Sequence, residues 1–228
     1  MKWKRRLKSV RLVAPLFLAS IVMWPAQATQ NLPAPGTYVL PRIYKVPRTS
    51  LLDTRGEHVW TDERMLGGLT LLGFFYSHCE DANGCPVSWS VFENVRDAAK
   101  NDPILSKCLR LMFISLDPER DTPKVLSLLE NDENRRAEGI PWSFLTGASE
   151  SSLSQFIRTM GQDIGYGFDA GGSRTGEIQH MLKVFLVDPE GWVREIYSIG
   201  FLTPEAVLND ARTIAIINSD PHARTEVR

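Results

Sequence analysis

Apolar runs that suit buried strands alternate with segments of helical periodicity along most of this chain. The first run, residues 69–76, is apolar enough for a strand covered on both faces of a sheet. A helix is predicted to follow it, because Pro86 suits the first helical turn and later apolar residues recur at helical spacing. Those apolar positions are Val87, Val91, Phe92, Val95 and Ala99. The pattern therefore predicts a strand, a short polar loop and a helix.

The alternation continues through the second half of the chain. Further strands are predicted at residues 110–116, 142–145, 183–187 and 193–197, and further helices from Pro123, from about Leu153 and from Pro204. The last two strands flank an Asp-Pro-Glu-Gly sequence, which is typical of a hairpin turn. This order favours an α/β, thioredoxin-like fold: a central mixed β-sheet flanked by helices, with a C-terminal β-hairpin and helix. A Rossmann fold is less favoured, because no glycine fingerprint follows the first strand.

Two segments lack this periodicity. Residues 29–50 contain several prolines and predict an N-terminal arm that is either extended over the domain surface or partly disordered. Residues 161–177 hold six of the 16 glycines and predict a mobile surface loop. We expect residues 51–218 to form the thioredoxin-like domain and the polar residues 219–228 to form a flexible tail.

Charge is distributed unevenly along the 228 residues. The chain has 26 basic and 27 acidic residues, but six of the basic ones and none of the acidic ones lie in residues 1–28. The remainder therefore has 20 basic against 27 acidic residues, a formal charge of -7. A basic nucleic-acid-binding domain is disfavoured by this balance.

The basic N-terminal stretch begins a three-part export signal. It precedes an apolar run, residues 12–24, and a small-x-small cleavage pattern that ends at Ala28. We expect residues 1–28 to be a cleaved secretory signal peptide, so that the mature protein is periplasmic or otherwise exported and soluble. The alternative is an uncleaved segment that anchors the protein to the inner membrane, although a span usually needs ~20 apolar residues.

Export makes the cysteines informative, because exported thiols are oxidised unless they pair, bind a metal or are kept reduced. Cys79 and Cys85 lie between the first buried strand and its helix, a position where α/β proteins place their sites. The helix N-terminus favours a Cys85 thiolate, whereas Glu80 and Asp81 oppose it, so the direction of its pKa shift stays open. The pair could also be a plain stabilising disulfide, although that bond closes only a small loop.

Four motifs occur in the order that characterises a known family. They are Phe-Phe-Tyr-Ser-His-Cys at 74–79 followed by Cys-Pro at 85–86, the segment 113–123 with Ser-Leu-Asp-Pro, Trp-Ser-Phe-Leu-Thr-Gly at 142–147, and His180 ahead of Phe-Leu-Val-Asp-Pro-Glu-Gly at 185–191. From about residue 51 to residue 211 the chain closely resembles the Sco/SenC family. This resemblance implies a thioredoxin-like fold and a copper-binding protein that assists assembly of the copper centre of cytochrome c oxidase.

Carried over residue by residue, the resemblance implies that Cys79, Cys85 and His180 ligate copper. It places Asp117 near the metal without ligating it. The donor types agree with that chemistry, because thiolates are soft ligands suited to Cu(I) and an added imidazole also suits Cu(II). The implied partners are a copper-accepting oxidase subunit or another exported cuproprotein, with a thiol reductant as a further candidate. Movement of the glycine-rich loop before His180 could carry that imidazole on and off the metal.

The cysteine spacing departs from the family pattern. Five residues separate Cys79 from Cys85 where the family usually has three, and Asn83-Gly84 predicts a turn within them. The longer loop leaves the copper affinity and the acceptor open. The alternative function is a thiol-disulfide oxidoreductase that reduces a partner cuproprotein by cycling Cys79 and Cys85 between dithiol and disulfide. The spacing and the distant His180 weigh against that enzyme, and a peroxidase is a weaker alternative still.

Several other candidate residues have simpler interpretations. Cys108 is predicted to be a buried, inert thiol. His78 is predicted to point away from the adjacent cysteine if the chain is extended there. The carboxylates of Asp117 and Asp121 suit turn formation and helix capping better than an acid/base pair. His58 and His222 are expected at the surface.

Overall fold

The computed structural model describes residues 32–136 and 139–219. The predicted signal peptide, residues 1–28, lies outside the described residues, as do the beginning of the arm and all of the predicted tail after Ser219. His222 lies outside them too. None of the helices among the described residues is long and apolar enough to cross a membrane.

Ten strands and six helices make up the described part of the chain. In chain order they are β1 (Tyr44–Lys45), β2 (Ser50–Leu52), β3 (His58–Trp60), α1 (Thr61–Met65), β4 (Leu69–Phe75), α2 (Cys85–Ala99), α3 (Leu105–Cys108), β5 (Leu109–Ser115), α4 (Pro123–Arg136), β6 (Trp142–Leu145), α5 (Glu150–Thr159), β7 (Ile164–Phe168), β8 (Arg174–His180), β9 (Lys183–Val187), β10 (Trp192–Ser198) and α6 (Pro204–Ser219).

Six of the strands form one mixed sheet in the order β1-β10-β9-β4-β5-β6. The strands β4, β5 and β6 are parallel, whereas β9 runs antiparallel to both β4 and β10. Helix α2 packs against β4 and β5, α4 packs against β6, and α6 packs against α2 and α3. The predicted mixed sheet flanked by helices, with its C-terminal hairpin β9–β10 and last helix, is confirmed.

The central strand β4 is buried along its whole length, as its apolar sequence predicts. At Gly73 a Cβ atom would lie only 2.5 Å from the Phe113 ring, so glycine is what allows the aromatic core to pack against this strand. The core continues through Phe75, whose ring stacks on Phe113 with centroids 5.2 Å apart, and through Trp142. Because β4 pairs with β5 and β9 along its two edges, the chain leaves the core only at the C-terminal end of this strand.

Helix α2 begins at Cys85 with a proline in its first turn, as predicted. Its inner face includes Arg96, which is only 3% exposed. The guanidinium of Arg96 donates to the Glu133 carboxylate at 2.9 Å and lies over the Trp142 ring at 5.1 Å. Glu133, also 3% exposed, accepts a second hydrogen bond from the Trp89 indole at 3.1 Å. The ion pair therefore joins α2 to α4 within the aromatic core.

The prediction of a mobile loop at residues 161–177 is wrong, because this segment forms the antiparallel hairpin β7–β8. Asp169 closes its turn by accepting hydrogen bonds from the amides of Gly171 and Ser173. At Gly167 a Cβ atom would lie 2.5 Å from the Thr175 hydroxyl oxygen. The glycines therefore permit close strand approach and a tight turn, which the sequence alone does not distinguish from mobility.

The described part of the arm packs on the domain. Tyr44–Lys45 adds β1 to the edge of the sheet beside β10. The guanidinium of Arg194, itself buried, donates to the Leu40 carbonyl at 3.1 Å and to Asp188 at 2.9 Å. Tyr38 donates a hydrogen bond to Asp210 on α6. These contacts hold the arm against β10 and α6.

We predict that Glu133→Ala lowers the free energy of unfolding by about 3–5 kcal/mol, because the buried charge of Arg96 then has no carboxylate to neutralise it. Urea-induced unfolding measures this loss. The matched control is Asp97→Ala, which removes the exposed partner of Lys100 and is expected to cost less than about 1 kcal/mol. Equal losses of unfolding free energy in the two variants would contradict a stabilising role for the buried Arg96–Glu133 ion pair.

Candidate metal centre

A cleft of about 860 Å³ opens where the loop after β4 faces the hairpin β7–β8. Its walls come from three parts of the chain: the end of β4 with the following loop, one arginine before α4, and the strand β8. The lining residues are Tyr76, His78, Cys79, Glu80, Asp81, Gly84, Arg120 and residues 175–180. The cleft therefore contains one predicted thiol and the predicted histidine.

The cysteine loop, residues 79–85, is closed by hydrogen bonds of its own. The Asp81 carboxylate accepts from the Asn83 amide at 2.9 Å, and the Asp81 carbonyl accepts from the Gly84 amide at 3.0 Å. The amide of Cys79 donates to the Tyr76 carbonyl at 3.2 Å. A turn over residues 81–84 thus takes up the extra length of the loop, and Cys85 still begins α2.

The two cysteines of this loop differ in environment. Cys79 is half-buried, whereas Cys85 is 6% exposed, and both are free thiols. Burial raises the pKa of the Cys85 thiol, and the neighbouring Cys79 side chain raises it further. The backbone N–H groups of Tyr76 and Cys85 work in the opposite direction. The net pKa shift of Cys85, whose direction the sequence leaves open, is therefore upward, because desolvation outweighs the effect of the helix N-terminus.

His180 is the last residue of β8 and faces the same cleft as Cys79. Burial lowers the pKa of its imidazole, and its Nδ1 atom is buried without a hydrogen-bond partner. The ring meets Tyr76 edge-on with centroids 6.2 Å apart. An unpartnered imidazole nitrogen that stays neutral is a suitable metal ligand.

The predicted ligands are brought near one another without forming a closed site. Within residues 32–136 and 139–219, no three His, Cys, Asp or Glu side chains form a group that could hold a metal ion. Cys79 and Cys85 are neighbours, and His180 lines the cleft that Cys79 enters. Two thiols and one imidazole fit copper by donor type. The ligand set of Cys79, Cys85 and His180 stays a prediction.

Asp117 is nearly buried and is not among the residues that line the cleft. Its carboxylate accepts from the Arg120 amide at 3.3 Å and lies 3.5 Å from the Arg120 guanidinium. Arg120 does line the cleft, and it also donates to the Gly176 carbonyl at 3.3 Å. Asp117 therefore reaches the site only through Arg120, which ties the loop before α4 to the hairpin.

Asp121 is fully buried and has a different role. Its carboxylate accepts hydrogen bonds from the Ser77 amide at 3.0 Å and from the Ser115 hydroxyl at 2.5 Å. These bonds join the chain just after β4 to the end of β5. The carboxylates of Asp117 and Asp121 do not contact each other, but the Asp121 amide donates to the Asp117 carbonyl at 2.8 Å and the Asp117 amide donates to the Ser115 hydroxyl at 3.0 Å. This arrangement agrees with turn formation rather than with an acid/base pair.

Sequence reasoning misplaced or missed some residues near the site. His78 lines the cleft, contrary to the prediction, because the chain turns after Tyr76 instead of staying extended. Tyr76 and Arg120 were not predicted as site residues, and no local pattern distinguishes them from ordinary core and surface side chains.

Cys108 is half-buried rather than buried, and burial raises its pKa. His58 is exposed, as predicted, and pairs with the Ser50 hydroxyl.

A mixed-sheet α/β domain with a thiol pair at the end of its central strand and a histidine across the cleft defines a recognisable class of protein. The family model described as SCO1/SenC matches residues 45–215. The chain belongs to the SCO1/SenC family.

Named relatives agree with this assignment. A mitochondrial SCO2 homolog of Danio rerio is 28% identical over 151 residues, which cover 65% of this chain and 49% of the relative. The SCO1 protein homolog of Bacillus subtilis is 24% identical over 187 residues, which cover 78% of this chain and 86% of the relative. The chain spans about half the length of the mitochondrial relatives it matches.

Solved structures show the same fold. Copper-bound ScoI of Bradyrhizobium japonicum is 24% identical with a TM-score of 0.58, and the likeness covers 75% of this chain and 99% of that one. BsSco, described as a Sco-family cytochrome c oxidase assembly protein with a disulfide switch, is 23% identical with a TM-score of 0.57, covering 75% and 94%. These likenesses confirm the predicted thioredoxin-like fold.

We predict that iodoacetamide modifies Cys79 before Cys85 in the reduced protein at neutral pH. The reason is that Cys85 is buried and its thiol pKa is raised, so its reactive thiolate is scarce. The difference in rate should be roughly tenfold or more. Peptide mass spectrometry over a time course measures both sites, and equal rates would show that Cys85 is more accessible than its burial indicates.

Proposed function

We propose that this protein is an exported copper metallochaperone that assists copper-centre assembly in cytochrome c oxidase or a related cuproprotein. Copper is the cargo, and Cys79, Cys85 and His180 are its ligands. The observation that supports the proposal is that Cys79, with Cys85 beside it, lines the same cleft as His180, whose Nδ1 is buried without a partner, in a member of the SCO1/SenC family. Copper-bound structures of B. japonicum ScoI and yeast Sco1 support copper as the metal.

The arrangement suits a metal that is taken up and passed on. Soft thiolates hold Cu(I), and the imidazole adds a donor suited to Cu(II). Cys79 and His180 face the open cleft, so a partner protein can offer its own ligands there while Cys85 still holds the metal from the buried side. His180 ends a strand of the separate β7–β8 hairpin, and a shift of that hairpin would close or open the third ligand position.

The extra length of the cysteine loop is compatible with this function. The turn at residues 81–84 bulges from the loop, and Cys85 remains at the start of α2 beside Cys79. The side chains of Glu80 and Asp81 line the cleft and add negative charge near the cation. We infer that the longer loop changes the surface offered to the copper acceptor more than it changes the metal ligands.

Thiol-disulfide exchange is the second candidate. It is favoured by the neighbouring Cys79 and Cys85 thiols, and a disulfide switch is described for BsSco. Against it, the buried Cys85 has a raised pKa and is a poor attacking thiol. The unpartnered Nδ1 of His180 also has no role in exchange. We propose copper delivery as the main function and reduction of a partner's cysteines as the alternative.

We also propose the organisation that export requires. Residues 1–28 are a signal peptide, residues 29–50 an arm, residues 51–218 the domain and residues 219–228 a tail. The alternative is retention of the N-terminal segment as an anchor in the inner membrane.

A copper titration of the reduced protein tests the ligand set. We expect the wild type to bind one copper ion and to show a Cu(II)–thiolate absorption band with a matching electron spin resonance signal. Cys79→Ser, Cys85→Ser and His180→Ala should each weaken binding by more than about 100-fold, since losing even an outer partner of a ligand costs ~10–100-fold.

Matched controls are Cys108→Ser and His58→Ala, which remove the same donor types away from the cleft. Both should bind copper like the wild type. A wild type without a stoichiometric band, or a His180→Ala variant that behaves like it, would refute the metallochaperone proposal. Insulin reduction that persists in His180→Ala would favour thiol exchange.

Export has its own test. When the full chain is expressed in a bacterium, we expect the protein in the periplasm, with an intact mass that corresponds to a chain starting at Thr29. The physical reason is the three-part pattern that ends at Ala28. Protein of full mass in the membrane fraction would instead support the uncleaved anchor.

A further inference from the structure

Arg120 links two segments that both border the cleft. It stands between β5 and α4, and its side chain lines the cleft with 45% of its surface exposed. Its guanidinium donates to the Gly176 carbonyl at 3.3 Å and lies 3.5 Å from the Asp117 carboxylate. Gly176 belongs to β8, the strand that ends at His180. One side chain therefore connects the turn after β5 to the strand that carries the proposed third ligand.

The turn that carries Arg120 is anchored in the core. Ser115, the last residue of β5, is fully buried, and its hydroxyl accepts from the Asp117 amide at 3.0 Å. The Asp117 carbonyl in turn accepts from the amide of the fully buried Asp121 at 2.8 Å. The amide of Arg120 itself donates to the Asp117 carboxylate at 3.3 Å. The guanidinium therefore extends from a base that the sheet holds in place.

The hairpin offers one face of β8 to the domain. Gly176, Ile178 and His180 share that face, because side chains alternate along a strand, and the residues between them are exposed. Ile178 is 6% exposed and belongs to the hydrophobic core. Apolar burial is non-directional, so this contact alone does not fix how the strand lies on the domain. The hydrogen bond from Arg120 to Gly176 supplies a directional contact on the same strand.

Glycine at position 176 is what allows this contact. A Cβ atom at Gly176 would overlap the guanidinium of Arg120, so the arginine packs directly on the strand backbone. The φ angle of Gly176 is 89°, in the region that favours glycine. Both the space and the backbone conformation at this point of β8 therefore suit the arginine contact.

We propose that Arg120 is a positioning residue for His180: it holds β8 at Gly176, so that the imidazole at the end of the strand stays in the cleft that Cys79 lines. The effect on copper rests on the proposed function, whereas the tie between the turn and the hairpin does not. Since the guanidinium is itself a cation, its charge opposes the binding of a copper ion in the same cleft. Positioning and charge therefore change the copper affinity in opposite directions.

Hydrogen exchange of the reduced, metal-free protein tests the tie to the hairpin. In Arg120→Ala the amides of β7 and β8 should exchange about two- to tenfold faster than in the wild type, because losing one hydrogen bond changes a local opening equilibrium by a factor of that size. Amides of the buried strand β4 should keep their wild-type rates, since the central sheet does not depend on this contact. Unchanged exchange in β7 and β8 would overturn the inference.

The matched control is Arg135→Ala. Arg135 is an exposed arginine of α4 that pairs with Asp132 on the same helix, and it is not among the residues that line the cleft. Its removal should leave both the exchange of the hairpin amides and the copper affinity unchanged. Equal acceleration of hairpin exchange in this control would overturn the assignment to Arg120.

A double-mutant cycle separates positioning from charge in the copper-loaded protein. Arg120→Ala should weaken Cu(II) binding about tenfold, as the loss of an outer partner of a ligand does. The same substitution made in His180→Ala should not weaken binding further, because the ligand that Arg120 positions is already gone. An equal loss in both backgrounds, or tighter binding without Arg120, would overturn the inference. If the wild type binds no copper, the proposed function fails, and the exchange measurement still decides whether Arg120 holds the hairpin.

Discussion

The strand β4 is hydrogen-bonded on both edges and buried along all seven residues, and this burial determines where reactive groups can stand. No polar side chain can be placed along such a strand without losing its hydration. The chain becomes available for chemistry only after Phe75, where the sheet ends. Asp121 then holds Ser77, two residues after Phe75, to the end of β5, so the cysteine loop starts from a fixed point.

The two thiols on that loop differ in solvent exposure, because Cys85 packs into the hydrophobic core and Cys79 does not. Cys85 begins α2 and belongs to the buried core, whereas Cys79 lines the cleft. Burial discourages a lone thiolate at Cys85, and a soft cation would remove that penalty by neutralising the charge. The environment therefore favours a metal-bound pair over one free nucleophile, which agrees with a carrier more than with an oxidoreductase.

Much of the fold could be predicted from the sequence, because β4, β5 and α2 have strong and uninterrupted periodicity. The hairpin β7–β8 could not, since its glycines interrupt the strand pattern and only Ile178 of β8 is buried. Both thiols were found from their place after a buried strand. Their unequal burial, and the neighbours Tyr76 and Arg120, depend on contacts between distant segments that leave no local pattern.

The hairpin that carries His180 pairs only within itself among the described strands, and the six-stranded sheet is complete without it. Its displacement breaks no ladder of the central sheet, and the guanidinium of Arg120 is one of its few polar ties across the cleft. A shift of His180 therefore leaves the central sheet paired and draws instead on the contacts of the hairpin itself, which include Ile178 in the core and the Arg174–Glu150 ion pair. Under the proposed function, substitutions in this hairpin act on the third copper ligand without changing the strand pairing of the central sheet. A copper carrier of that kind would be adapted to a new recipient at the hairpin, with the central sheet unchanged.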